Sequence, residues 1–178
     1  NRYFAILRDL TNRKKNESRI LRLNNLYQAL SETNQAIVRM SDETELFPLV
    51  CRCAVNFGGM QMAFIGQLDQ STQLIEPVAS YGNGLGYLDA LKISVNADVA
   101  EGRGPTGTSF RENHPVIVNN FQEDESTLPW RAKSEEFGWH SSASFPIPRN
   151  GKQFAVFSIY SAHRDAFDQD AIALLSEM

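Results

Sequence analysis

The stretch WHSSASFPIPRNGKQFAVFSIYSAH, residues 139–163, does most to decide the fold. Its two halves, 139–148 and 153–163, carry many β-branched and aromatic residues, with Arg149-Asn150-Gly151-Lys152 between them. Asn-Gly accepts positive φ at both central turn positions, which matches the twist of two antiparallel strands. A β-hairpin is predicted. Side chains alternate with a period of two. Trp139, Ser141, Ala143, Phe145 and Ile147 are therefore expected on one face, and His140, Ser142 and Ser144 on the other. A strand face of serines leaves room that leucine or phenylalanine would fill. That face is the candidate lining of a cavity for a small polar ligand.

Working outward, MAFIGQLD (62–69) and LIEPVASYG (74–82) flank the polar turn QSTQ and predict a second hairpin. PVIVNN (115–120) reads as a further strand, and LKISV (91–95) as a short strand or extended link. Helical signals lie between them. ETELFPLVCRCAVNFGG begins at a Ser41-Asp42 cap and stops at Gly58-Gly59. NGLGYLDAL is a helical turn, and PWRAKSEEFG is a short helix with Pro129 at its start and Gly138 at its end. Asp168 or a neighbour caps DQDAIALLSEM. Short-looped hairpins with helical insertions predict an α+β fold, an antiparallel sheet of five to six strands with helices on one face.

Residues 17–41 predict a long helix. Ile20, Leu23, Tyr27, Leu30, Asn34, Ile37 and Ser41 recur at alternating intervals of three and four, the a/d pattern of a coiled coil. A homodimer seam is expected there, with Asn34 fixing register. Leu21, Leu26 and Val38 add a second apolar flank that fits packing on the helix's own domain. Ahead of it, RYFAILRDLTNRKK reads as a strand that closes on Asp9-Leu10-Thr11 and a basic turn.

Gly102-x-Gly104-x-x-Gly107 has the spacing of a dinucleotide-binding fingerprint. Its context fails. LKISV ends well before Gly102, and TGTSFREN is shorter than the roughly 10–12 residues of a parallel crossover. The glycines instead predict a tight loop feeding a short helix, with Pro105 presetting φ and Thr106 as N-cap.

The chain has 178 residues, 42% hydrophobic and 21% charged, with a formal net charge of −4, so a packed core is expected. Arg13-Lys14-Lys15 is too short a basic run for a nucleic-acid surface, and no apolar stretch reaches membrane-spanning length. No nucleic-acid partner and no direct membrane contact are expected. Cys51 and Cys53, two apart on a helix, point to opposite sides and read as packing residues in a reducing compartment. No zinc spacing is present. The start at Asn1 and the stop within an apolar-periodic segment read as an excised piece of a longer protein.

Residues 24–178 resemble a GAF domain. The resemblance rests on Gly102 to Phe110 followed by HPVIVN (114–119), on FGWHSSASFPIPRNGKQFAVFSIYS (137–161), and on the closing AFDQDAIALLSEM. It implies a ligand cavity, covered by loops and short helices, opposite the helix-bearing face. Trp130 is a candidate lid, and Tyr81 and Phe110 are further candidate lining residues beside His140, Ser142 and Ser144. Bilin attachment needs a cavity cysteine, and Cys51 and Cys53 lie on the early helix. Haem would depend on His140 as axial ligand. NNFQEDE (119–125) lacks the lysine and spacing of the cyclic-nucleotide signature of phosphodiesterase GAF domains. All three cofactors are disfavoured, and the ligand is an unknown small molecule. GAF proteins that reduce free methionine sulfoxide use cavity cysteines, so no catalytic residue is expected here.

Residues 1–16 resemble the end of a PAS domain, and the closing helix resembles one that leads into GGDEF or EAL output domains. The implied organisation is a PAS-like end (1–16), a signalling helix (17–41) and a GAF domain (42–178). The implied role is a cytoplasmic, dimeric sensory module linked to cyclic di-GMP synthesis or hydrolysis. A non-binding GAF spacer and a histidine-kinase sensor module are the alternatives.

Overall fold

Asn150 and Gly151 both adopt positive φ, 52° and 74°, and the hairpin forms: β4 (Ser141–Arg149) turns into β5 (Lys152–Ser161). The computed structural model describes residues 2–39, 42–89 and 91–178, with side chains in the first helix from Arg13 onward. The second expected hairpin, β1 (Met62–Asp69) and β2 (Leu74–Gly82), is tightened by Asp69, whose carboxylate accepts the Ser71 N–H at 2.8 Å. With β3 (Val116–Val118) these strands form one antiparallel sheet of five, in the order β2-β1-β5-β4-β3. LKISV adds no sixth strand; only Ser94 makes a single bridge, to Leu74.

The first helix, α1 (Arg2–Arg39), corrects two expectations. Residues 2–10, expected as a strand, are helical and continuous with the rest of α1. The a/d register also shifts. Leu26, Ala29, Leu30, Thr33 and Ala36 are buried against the domain, whereas Ile20, Tyr27, Asn34, Ile37 and Val38 are exposed and Leu23 is half-buried. Leu30 therefore belongs to the domain's own core. Ser41, the last expected seam residue, lies outside the described residues.

In α2 (Glu43–Asn56) the Asp42 carboxylate caps the helix, accepting the Thr44 N–H at 2.9 Å. That hydrogen bond holds the Asp42 carboxyl below its ordinary range. With α1 and α6 (Gln169–Ser176), α2 covers one sheet face, around Phe47, Ile65, Phe145, Phe157, Phe167 and Leu175. The opposite face carries α3 (Gly86–Asp89), α4 (Pro105–Glu112), α5 (Arg131–Phe137) and two 3-10 turns, Ala100–Gly102 and Glu125–Trp130. These enclose a second core around Phe64, Phe121, Trp139 and Tyr160.

The path into α6 is pinned by Asn119, just beyond β3. Its side-chain amide donates to the Phe167 carbonyl and accepts the Phe167 N–H, each at 3.0 Å. Its own carbonyl takes the Asp165 N–H at 3.0 Å. Among the described residues, no helix is long and apolar enough to cross a membrane.

Candidate functional site

Thr106, expected to cap α4, lies inside it; Gly104 is the N-cap and Pro105 the first helical residue. The Thr106 side chain is thereby free to turn into the sheet. Its hydroxyl is 3.2 Å from Ser144 Oγ and 3.0 Å from Ser158 Oγ, which are 2.9 Å from each other. All three residues are buried. A hydroxyl both donates and accepts, so the ring satisfies itself without water. Tyr160 and Tyr87, buried with their ring centroids 5.9 Å apart, border the same space as Thr106 and bring two phenols beside the cluster.

Aromatic rings close around these hydroxyls. The centroid of the Trp139 ring lies 4.6 Å from that of Tyr160, 5.0 Å from that of Tyr87 in an edge-on contact, and 5.2 Å from that of Phe137. The space left among Tyr87, Ile93, Thr106, Phe121, Trp130 and Tyr160 is about 10 Å³. That is room for one water at most. The cavity expected on this face is filled by the protein's own aromatics.

Of the lining residues expected from the sequence, Ser144, Ser142, Phe110 and Trp130 reach this core or the sheet face beneath it. Ser142 is 2% exposed, and its Oγ has no hydrogen-bond partner among the described residues. Phe110 is buried in the aromatic cluster, and Trp130 lines the residual space. His140 does not line it. That residue precedes β4, and its backbone bonds to Ser161 and Phe121 at 2.9 and 2.8 Å. Its imidazole is half-buried, with Nδ1 unpartnered among the described residues. Tyr81 pairs with Ala63 on the face covered by α1, α2 and α6 and lines a separate groove of about 480 Å³ with Asn56 and Gln61.

Trp139 also departs from expectation. Gly138 takes a left-handed conformation, φ 71°, and strand pairing begins only at Ser141, so strict alternation does not reach back to residue 139. Tyr87, Ser158 and Tyr160 join the site without having been expected there. For the last two a signal existed: in FSIYS, Ser158 and Tyr160 share one strand face.

The glycine motif supplies close packing. A Cβ at Gly104 would overlap the Trp130 ring, one at Gly102 the Asn96 carbonyl, and one at Gly107 the Ser94 carbonyl. The three glycines let backbone and indole lie against α4 and the turn before it.

Among the described residues, no carboxylate, amine or imidazole lines the residual space. Burial raises the Tyr87 hydroxyl well above its ordinary pKa and the Tyr160 hydroxyl to about 12. Both are neutral hydrogen-bonding groups at physiological pH. On the other face, burial lifts the Cys51 thiol to about 12. Above about pH 9 the unfolded chain releases protons that these folded groups retain, so the native state binds more protons. Stability is therefore expected to fall as pH rises from about 9 towards 12. Urea midpoints measured at stepwise higher pH should decline, less steeply in Cys51→Ala; a flat profile would contradict the burial of these groups.

Residues 40–178 match the family model described as GAF domain. The chain is similar to the free methionine-R-sulfoxide reductase of Neisseria meningitidis, solved in complex with its substrate. That match has TM-score 0.69 and 15% identity, and covers 85% of this chain and 82% of that one. It is also similar to the GAF domain of a phosphoenolpyruvate-protein phosphotransferase from Coxiella burnetii, with TM-score 0.66, 15% identity and coverage of 85% and 86%. The A. aeolicus nlh2 GAF domain in an inactive state gives TM-score 0.65, 15% identity and coverage of 86% and 87%. No curated protein matches the chain significantly. At such identities the likeness is one of fold.

Proposed function

This chain belongs to the GAF family, whose members are signalling and sensory modules, and from that premise we propose that it is a non-catalytic relay. A signal reaches it through α1 and leaves through α6. The observation that carries the reading is the two-sided use of α1. Its inner face is core, through Leu26, Ala29 and Leu30, while Ile20, Leu21, Tyr27 and Val38 stand exposed on the remainder. A helix that is half core and half exposed apolar surface suits a dimer contact that shares its geometry with the domain.

The two helices are linked within one subunit. Arg19 pairs with Asp170 and Arg22 with Asp168, which joins α1 to the N-terminus of α6. A filled distal core fits a module that transmits by helix packing. Two packings separated by about 1–3 kcal/mol are enough for a useful switch. On this reading the module works in the cytoplasm as a homodimer, joined to an output domain for cyclic di-GMP synthesis or hydrolysis.

The test is sedimentation. The protein is expected to run as a dimer, and Ile20→Asp combined with Tyr27→Asp as a monomer with unchanged circular dichroism. These two residues are exposed, so the fold should survive their replacement. A monomeric parent protein, or a double variant of unchanged mass, would remove the dimer seam.

A second reading, a small-ligand sensor, is favoured by two unpartnered buried polar atoms, Ser142 Oγ and Trp139 Nε1. Native mass spectrometry separates the two readings. A co-purifying small molecule, lost in Ser142→Ala, supports the sensor; bare protein supports the relay.

A further inference from the structure

We infer that a groove between α1 and the end of the sheet binds a small oxyanion, a carboxylate or a phosphate, through Arg22. The groove holds about 430 Å³. Ser18, Arg22 and Asn25 of α1 line it on one side, Gly59 and Met60 on another, and His163 beyond β5 on the third. It shares no lining residue with the aromatic core. Its volume falls within the range of small-molecule sites.

The chemistry follows from unused donors. Arg22 Nη2 pairs with the Asp168 carboxylate, but Arg22 Nε is buried with no partner among the described residues. Asp168 does not reach it. One carboxylate oxygen accepts the Ala171 N–H at 2.9 Å as the cap of α6. The other takes Arg22 Nη2 and lies 3.7 Å from Arg19 Nε. The guanidinium is thus gripped at one nitrogen of a fork that offers two parallel donors.

A buried charged donor left unmatched is costly, and a carboxylate or a phosphate matches an arginine fork in two bonds. The lining repeats the same sign. Arg22 and His163 are its basic side chains, and among the described residues no Asp or Glu lines it. Gly59, at φ 71°, leaves that wall without a side chain, and the Asn25 amide nitrogen stands 4.0 Å from where a Cβ would be. A small acid seated there meets a guanidinium, an amide and an imidazole. Met60 and Ala166 supply the apolar floor. The proposal does not depend on the relay reading, because a monomer would carry the same groove.

Nitrogen-15 NMR tests it directly on the whole chain. Potassium phosphate and sodium succinate are titrated separately, each against potassium chloride at matched ionic strength. The Arg22 Nε–H signal and the Gly59 amide are expected to shift and saturate with at least one of the two acids. Saturation by phosphate alone points to phosphate esters, and by succinate alone to organic acids; either supports the site. Arg22→Gln is expected to weaken binding at least ~10-fold, the scale of losing charged hydrogen bonds.

Arg22 also anchors α6, so His163→Gln is the companion variant, since His163 is exposed and outside the ion pairs. It should weaken binding about 3-fold with the spectrum otherwise unchanged. Shifts that follow ionic strength alone, or binding that survives both substitutions, would overturn the assignment.

Discussion

Trp139→Ala is expected to lower the free energy of unfolding by about 3–5 kcal/mol, the range for truncating a buried large aromatic. Trp139 is 0% exposed and touches three other rings, those of Tyr160, Tyr87 and Phe137. The neighbouring hydroxyl ring ties Thr106, Ser144 and Ser158 in place, so the walls of the space that alanine would leave are poorly able to collapse inward. The indole nitrogen has no partner among the described residues, so removing it strands no hydrogen bond. The loss is then one of packing alone. Trp139→Phe should recover more than half of it. Urea unfolding measures both, and a loss below about 1 kcal/mol for alanine would show that the cluster repacks freely.

Gly107→Ala is expected to destabilise by about 2–3 kcal/mol, and here the sign is the test. Gly107 lies within α4, where helix propensity alone would favour alanine by about 1 kcal/mol. The structure says the reverse. A Cβ would overlap the Ser94 carbonyl oxygen and stand 3.2 Å from that of Gly102. Both are backbone atoms, and Ser94 is held by its bridge to Leu74. Thermal unfolding separates the two outcomes. A higher Tm would mean that α4 stands clear of the loop beneath it.

Much of the sheet was legible because its signals are local. Asn150-Gly151 fixes one hairpin, QSTQ the other, and the caps Asp42 and Asp168 mark two helix starts. Local signals misled where the chain departs from strict periodicity. Arg149 pairs with Lys152 and Pro148 with Gln153, and counting outward from there sets Ser144 against Phe157. A register shift between Ile147 and Pro148 moves the pairing by one residue, so Ser144 faces Ser158 instead. Pro148 has no N–H to give to the ladder, which suits it to such an irregularity. The hydroxyl ring exists because of that one added residue.

The helix posed a different difficulty. The spacing of α1 satisfies a coiled-coil seam, but a helix has only one circumference. Packing against the domain claims Leu30 and rotates the exposed stripe away from it. Part of the site escaped the sequence for a third reason. Tyr87, Thr106 and Tyr160 lie far apart in the chain and meet only through the topology of sheet and overlying helices.

The paired bonds between Asn119 and Phe167 have a mechanical consequence. β3 is an edge strand of three residues, and Asn119, through backbone and side chain together, acts as a one-residue stitch fastening the chain ahead of α6 to that edge. Any tilt of β3, whether imposed through α4 or through β4, would tug the start of the last helix rather than dissipate in a loop. The shortest strand of the sheet is thus the one best placed to set where that helix begins.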